Sequence, residues 1–400
     1  MRKALFVWDS EYPWDVRVEK ICNSLLQADW QVHLVCRNVA GQSSEEMYHG
    51  IQIHRVWVPL KKRSSVNSAI SFPAFFSPVW ISRIYGVARR WSVDLIIVRD
   101  LPMSPAALTV GKMLSIPVIL DMAECYPELI RAVWRFEPFR FGNVFLRNPM
   151  NVDLIEHVVI KHIDHIFCMV EESKKRLLEK RVPKEKLTIV SNTPELTNHA
   201  RPTLIWQDHG STRARLTVVY VGFLNWARGL DFALRAFAKY VSINQDAILI
   251  LIGRGNAENH LKKRVKELAL GDHVRFLGWV DHRITYDYMQ ASDVCLIPHH
   301  KCSHWDNTVP NKLFDCMLMG KPVLTSDVVP VKRIVERENC GLVYKDGDMG
   351  SFVSKVQALE NEDYRLRLGK NGAIAVKNTY NWVVDSKRML EVIERIVRNA

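Results

Sequence analysis

Apolar runs of strand length alternate with helical patterns along this chain, and the alternation breaks once, over a polar stretch, before resuming. The first series of runs is Ala4–Trp8, Val32–Cys36, Ile51–Val56, Leu95–Val98, Val118–Leu120, His165–Met169 and Leu187–Val190, with helical patterns such as Val16–Gln27 and Glu172–Glu179 between them. The second is Leu216–Val221, Ala247–Ile252, Val274–Leu277, Val294–Ile297, Val323–Thr325 and Leu342–Tyr344. Short continuous apolar runs separated by helices are what strands buried on both faces of a parallel sheet look like. The break, from Thr193 to Arg215, is polar and holds Pro194, Pro202 and Gly210, the composition of a linker. At 400 residues the chain exceeds the size at which one core stops growing. Two α/β domains are therefore expected, over 1–195 and 216–379, joined by a linker at 196–215.

Composition narrows the function classes. Hydrophobic content of 48% with 24% charged residues excludes a disordered chain. The eight cysteines are scattered singly, without a CxxC pair, and read as reduced core residues of a cytosolic protein. Only five apolar residues, Ala4 to Trp8, follow the basic start before Asp9, which reads as a first strand and not a signal peptide. The net charge of +12 implies an acidic partner, and its distribution says which kind. Between Glu46 and Asp94 there is no acidic residue, while basic side chains (Arg55, Lys61, Lys62, Arg63, Arg83, Arg89, Arg90) interleave with Trp57, Phe72, Phe75, Phe76, Trp80, Tyr85 and Trp91. Basic and aromatic side chains together suit an anionic membrane surface, so the 55–91 segment is expected to face one; the plainer alternative packs the aromatics in a core. Pro73 and Pro78 with many polar residues argue against a spanning helix. A nucleic-acid partner is not expected, since the charge sits in one segment and no recognition motif is present.

The chemistry concentrates between Asn307 and Thr325, which reads as a polar loop, a helix from Thr308 to Met319, a stop at Gly320 and a strand. Thr308 suits the N-cap and Pro310 the first turn, leaving unpaired N–H groups to face an anion, with Lys312 adding a full charge. Asp315 lies one to two turns further in, and a carboxylate, being acceptor-only, suits a vicinal diol such as ribose. Leu313, Phe314, Met317 and Leu318 form the core face.

This segment resembles the nucleotide-sugar site of the family 4 glycosyltransferases and their relatives of GT-B fold, whose pattern is Glu, seven residues, Glu, a run of small residues, then Gly-Lys-Pro-Val. Asp315 falls on the second Glu, which in the family holds the donor ribose. The first falls on Asn307, a departure that removes a charge. Tyr220 to Asp231 resembles the opening of the family's donor domain, with Arg228 on the residue that grips the pyrophosphate, a role suited to a guanidinium fork. A second basic residue common after the Gly is here Phe223. Gly253-Arg254-Gly255 is weak evidence of phosphate binding by itself but resembles the family's turn near the nucleotide. The run from Arg275 to Val280, with Phe276, resembles the strand whose backbone reads the base.

In the first domain, Asp121 and Glu124 end a buried strand where the family often has Asp-x-His-Glu; the His is here Ala123. A carboxylate in a closed cleft has a raised pKa suited to proton transfer, so both are acceptor-side candidates, with Glu124 as a helix cap the alternative. Asp100 is a further candidate of the same kind, and Asp15-Val16-Arg17-Val18 resembles a family pattern near the acceptor. His299, His300, Cys302, His304 and Asp306 crowd one loop without the spacing of a zinc motif, so no metal is expected, and a His contact with the donor is the better reading.

The resemblance covers nearly the whole chain. It implies an α/β GT-B architecture, two doubly wound Rossmann-like domains facing across a cleft, with a C-terminal helix at 380–400 (Trp382 to Val397) crossing back to the acceptor domain. It implies Gly222, Arg228, Gly253, Arg254, Phe276, Asn307, Thr308, Val309, Pro310, Asn311, Lys312 and Asp315 as donor-binding residues, and Asp121, Glu124, Arg228 and Lys312 as catalytic ones. The expected activity is transfer of a sugar, with retention, from a nucleoside-diphosphate sugar to a glycan or lipid-linked acceptor at the cytoplasmic face of a membrane, without cofactor or metal. The alternatives are a sugar-nucleotide epimerase of the same fold and a non-catalytic nucleotide-sugar-binding partner.

Overall fold

Strand β1 (Lys3–Glu11) runs through the middle of the first sheet, and Ala4 to Val7 are no more than 1% exposed. A strand covered on both faces has no polar alternation to show, which is why its apolar run stands out. The computed structural model describes residues 1–13, 15–56, 74–137, 148–196 and 216–400. On one side of β1 lie β2 (Gln31–Arg37), β3 (Glu45–Tyr48) and β4 (Ile51–Val56), in the order β2, β4, β3. On the other lie β5 (Leu95–Arg99), β6 (Val118–Met122), β7 (His165–Cys168) and β8 (Leu187–Ile189). Neighbours are parallel throughout except β3, which pairs antiparallel with β4 at the edge.

The second sheet is parallel throughout, with β9 (Leu216–Val221), β10 (Ala247–Ile252), β11 (Val274–Gly278), β12 (Val294–Ile297), β13 (Val323–Ser326) and β14 (Gly341–Tyr344). Its order is β11-β10-β9-β12-β13-β14. In each sheet the chain builds outward from one strand in one direction and then returns to build in the other. The direction reverses between β1 and β5 in the first sheet and between β9 and β12 in the second. In doubly wound sheets, ligands bind beyond the carboxyl ends of the strands at such reversals.

The described residues fall into two compact units, the first within Met1–Arg131, Phe139–Asn192 and Val383–Ala400, the second within Ala132–Pro138 and Thr193–Trp382. The first unit thus includes nearly all of the helix Trp382–Asn399, whose Met389 and Ile393 are fully buried and whose Glu394 pairs with Arg2. From residue 197 onward, the linker expected at 196–215 lies outside the described residues. Strand β3 was not expected. Its sequence, Glu-Glu-Met-Tyr, has no apolar run, and charged residues on a short edge strand discourage further pairing.

The membrane-facing reading of 55–91 is partly displaced. Residues 57–73 lie outside the described residues. Beyond them, Trp80 and Ile84 of the helix Pro78–Trp91 are core, Trp91 packs 4.7 Å from the His33 ring, and both Arg83 and Arg90 reach Glu45. Phe76 and Val79 remain as exposed apolar side chains there. Among the described residues no helix is long and apolar enough to cross a membrane. All eight cysteines are buried free thiols.

His33 on β2 and His54 on β4 are fully buried, with Nδ1 of the first 3.1 Å from Nε2 of the second. Burial, reinforced by the neighbouring His54 and Lys3, lowers His33 to about 4. Burial also lowers His54 to about 4, with Glu45 opposing and Arg83 and Arg90 reinforcing. Both values lie below that of an exposed histidine, so the unfolded chain takes up these protons first. The stability they support is complete above about pH 6.5 and is lost as pH falls toward about 4. The thermal midpoint is expected to drop over that interval. In a His33→Asn/His54→Asn variant the drop should be shallower whatever the starting midpoint, as scanning calorimetry at stepped pH will show.

Candidate functional site

In the second unit, glycines bring the loops after β9, β10 and β11 together. Gly222 and Gly253 follow β9 and β10 with φ of 136° and 133°, and a Cβ on Gly253 would stand 2.0 Å from the Gly222 carbonyl oxygen. The N–H of Gly222 donates to Ile252 O at 2.9 Å and that of Gly253 to Gly278 O at 2.7 Å. Close backbone approach is thus one demonstrable use of the Gly-x-Gly turn. Arg254 is exposed and runs alongside Gly278, while Phe276 is half-buried on β11 with Lys262 Nζ 5.7 Å from its ring centre.

Across the reversal, the loop after β9 is fastened to the loop after β12. Gly229, at φ 69°, ends the 3-10 turn Trp226–Arg228 and lies so close to Pro298 that a Cβ would meet its carbonyl oxygen at 1.8 Å. The His300 N–H and the Trp305 Nε1–H both donate to Ala227 O, at 3.2 and 3.3 Å. Arg228 is thereby held with Nη1 3.0 Å from His299 Nε2 and its guanidinium over the Trp305 ring, 4.4 Å from the centre. Both partners are uncharged groups: burial, followed by the charges of Arg228 and Lys312, holds His299 far below the usual histidine range.

Lys312 is the second cation. Its side chain lies in the space left by Gly222, where a Cβ would meet Nζ at 2.7 Å, and the ammonium sits 3.8 Å from the centre of the Tyr220 ring. Lys312 is 9% exposed and its Nζ is buried without a hydrogen-bond partner among the described residues. Burial, then the nearby Arg228, lowers its pKa well below that of an ordinary lysine. Cation–π contact with Tyr220 offsets only part of the cost of desolvating an ammonium.

The helix expected from Thr308 begins later, spanning Lys312–Leu318. Thr308 is extended (φ −148°, ψ 164°) but stands too far ahead of the helix to cap it, since Asn311 holds the N-cap position; the chain enters the helix through Pro310 O accepting from Leu313 N–H and Asn311 O from Phe314 N–H. The cause is local: a proline disfavours helical backbone in the residue before it, which bars Val309 from the first turn. Thr308, Val309 and Pro310 are buried, Asn311 is exposed, and Asn307 donates from Nδ2 to Ser303 O at 2.7 Å. Asp315 faces the helix His282–Ala291, whose Tyr286 donates its hydroxyl to Oδ1 at 3.0 Å.

The histidine-rich loop is committed elsewhere. His299 bonds Arg228, His300 approaches Asp346 at 3.1 Å, His304 packs on Trp305, and Asp306 accepts from Val329 N–H. Among the described residues no three His, Cys, Asp or Glu side chains are arranged to hold a metal.

In the first unit the structure gives Asp121 a different task from the expected proton transfer. Its side chain is fully buried and takes three hydrogen bonds from Arg17, Nε at 3.1 and 2.9 Å and Nη2 at 2.5 Å, while the same Nη2 reaches Val190 O. The carboxylate is sealed in an ion pair that ties the helix Val16–Gln27 to β6 and to the residue after β8. The reversal between β1 and β5 instead presents Asp15, Arg99 and Asp100. Asp15 caps that helix through Arg17 N–H and Val18 N–H and also pairs with Arg99. Asp100 adopts φ 58°, accepts the Glu124 N–H at 2.9 Å and lies 3.6 Å from Arg99 Nε. Burial pushes its carboxyl up to about 7 in spite of Arg99. Glu124 thus meets Asp100 through its backbone. Tyr286 was not singled out from the sequence, Arg17 only as part of the Asp15–Val18 pattern and His299 only as one of the crowded histidines; what marks them is their partners, which are remote in the chain.

With this geometry in hand, the chain matches two family models, a glycosyl transferase 4-like domain over residues 15–193 and the glycosyl transferases group 1 over residues 205–374. It is 28% identical over 189 residues to a phosphatidyl-myo-inositol mannosyltransferase of Mycobacterium leprae, covering 47% of this chain and 48% of that protein. The chain thus spans about half the length of the curated relatives it matches. The whole chain superposes on sucrose-phosphate synthase from Thermosynechococcus elongatus with a TM-score of 0.81 at 16% identity, each chain covered in full. It superposes on the Anabaena protein HepE in complex with UDP and glucose with a TM-score of 0.75 at 14% identity, over 99% of this chain and 100% of that one. Two Rossmann-like parallel sheets, with family matches on either side of their junction, establish that the chain belongs to the glycosyltransferases of GT-B fold.

Proposed function

We propose that the protein transfers a sugar from a nucleoside-diphosphate sugar to a glycan or lipid-linked acceptor at the cytoplasmic face of a membrane, with retention of configuration and without a metal. The observation that carries this reading is the pair Arg228 and Lys312, two cations held at the β9/β12 reversal by neutral partners, His299, Trp305 and Tyr220. A buried charge without a partner is costly, and a diphosphate supplies the missing anion. As the sugar leaves, negative charge builds on that diphosphate, and fixed cations beside it stabilise the transition state. Asp315, oriented by Tyr286, is the acceptor for the ribose hydroxyls. Names of relatives lend support: the mycobacterial relative is a mannosyltransferase named for a lipid, and HepE binds UDP and glucose.

On the acceptor side the role first given to Asp121 and Glu124 passes to Asp100, with Glu124 beside it. Asp100 has the raised carboxyl and the position at the β1/β5 reversal that proton transfer asks for. Asn307, neutral and tied to Ser303 O, favours a second reading in which the nucleotide sugar is bound without turnover. Product analysis with and without an acceptor separates the two, and would also expose an epimerase.

Three outcomes test the proposal. In a thermal-shift panel of nucleoside diphosphates and their sugar conjugates, the true donor at roughly a hundred times its Kd should add about 2.7 kcal/mol. Arg228→Ala or Lys312→Ala should weaken that binding by about tenfold to a hundredfold with the unliganded midpoint little changed; unaltered binding in both would sink the assignment. If Asp100 takes the acceptor proton, kcat/KM should rise with pH through about 7, and Asp100→Asn should remove that limb. By contrast, Asp121→Ala should act on the fold, costing about 3–5 kcal/mol by leaving Arg17 buried and unpaired.

A further inference from the structure

Arg228 has no carboxylate within hydrogen-bond distance to orient it among the described residues; its hydrogen bond runs to His299, 71 residues away in sequence. His299 is 0% exposed. A guanidinium is donor-only, so the 3.0 Å contact requires Nε2 to be the accepting nitrogen, which leaves the ring proton on Nδ1. The imidazole is fixed in turn by its 4.1 Å packing on Trp305, the ring that also lies under Arg228. Trp305 is anchored through Nε1 to Ala227 O, the carbonyl just before Arg228. Guanidinium, imidazole and indole therefore form one closed assembly on the two loops of the reversal.

We infer that His299 is a positioning residue for Arg228, aiming the guanidinium at the donor diphosphate while leaving its charge unneutralised. This rests on the diphosphate reading of the site given above. A carboxylate in the same place would hold Arg228 equally well, but it would satisfy the cation and repel an incoming diphosphate. A neutral acceptor gives the orientation without the competing charge. Lys312 follows the same logic, with an aromatic face in place of an imidazole. The cations around His299, Arg228 first and then Lys312, oppose any second proton on the ring, so its accepting nitrogen stays available across the working pH range.

The test has two arms. In the ligand-free protein, 15N NMR of the imidazole should find the His299 hydrogen on Nδ1 with Nε2 bare; a hydrogen on Nε2 overturns the inference, whatever the site binds. In the second arm, calorimetry measures whichever of UDP, GDP or ADP binds tightest, together with its nucleoside, on wild type, Arg228→Ala, His299→Phe, His299→Gln and the double variant Arg228→Ala/His299→Phe. His299→Phe keeps a ring on Trp305 but has no acceptor, and should weaken the diphosphate by about tenfold while sparing the nucleoside. Glutamine, whose amide oxygen can accept in place of Nε2, should restore most of the loss. In the Arg228→Ala background, His299→Phe should cost nothing more. Additive losses, or an equal loss for the nucleoside, overturn the positioning role and mark His299 as a packing residue. If Arg228→Ala binds the diphosphate as wild type does, the diphosphate reading itself has failed and the inference falls with it; that result is distinguishable because the single Arg228 variant reveals it alone.

Discussion

Parallel strands whose order reverses leave a gap at their carboxyl ends, and this constraint locates the two charged clusters of the protein. At the reversal the chain leaves the two neighbouring strands for opposite faces of the sheet, which opens a crevice beyond their ends. In the second sheet the gap lies between β9 and β12 and receives Arg228 and Lys312. In the first it lies between β1 and β5 and receives Asp15, Arg99 and Asp100. The apolar strands, which carry no chemistry, decide where the chemistry stands.

The two gaps are filled in opposite electrostatic styles. In the second unit, cations are held by neutral acceptors and aromatic faces, which leaves charge available to a ligand. In the first, acids and guanidinium groups are interlocked, and the charges largely cancel within the protein. Asp121 shows how complete that cancellation can be: among the described residues every hydrogen bond to its carboxylate comes from Arg17, and no part of the residue reaches solvent. Asp100 is less fully compensated, and its elevated carboxyl records the difference. Backbone at φ 58° adds a local strain that the surrounding contacts must hold in place.

Much of this was legible in the sequence, and the exceptions share a cause. Both parallel sheets could be read because buried strands are continuous apolar runs, and the helix Val16–Gln27 was bounded as found because Asp15 caps it. Arg228, Lys312 and Asp315 stood out because their residue types sit beside glycines and loops at strand ends. What could not be read was partnership across distance. Arg17 and Asp121 are 104 residues apart, and Arg228 and His299 are 71 apart. No local pattern records either pair, so Asp121 looked like a reactive carboxylate and His299 like one of a cluster of possible ligands. The helix start was misread for a different reason, since the steric effect of Pro310 on Val309 outweighed the capping preference of Thr308.

The helix Trp382–Asn399 has a bearing on how the protein comes into being. Nearly all of it belongs to the first unit, yet the ribosome makes it only after the whole of the second. A domain made early usually folds as soon as it emerges. Here the surface that later covers Met389 and Ile393 stays open while some two hundred further residues are synthesised. The first-made half is thus completed only by the helix that follows the second.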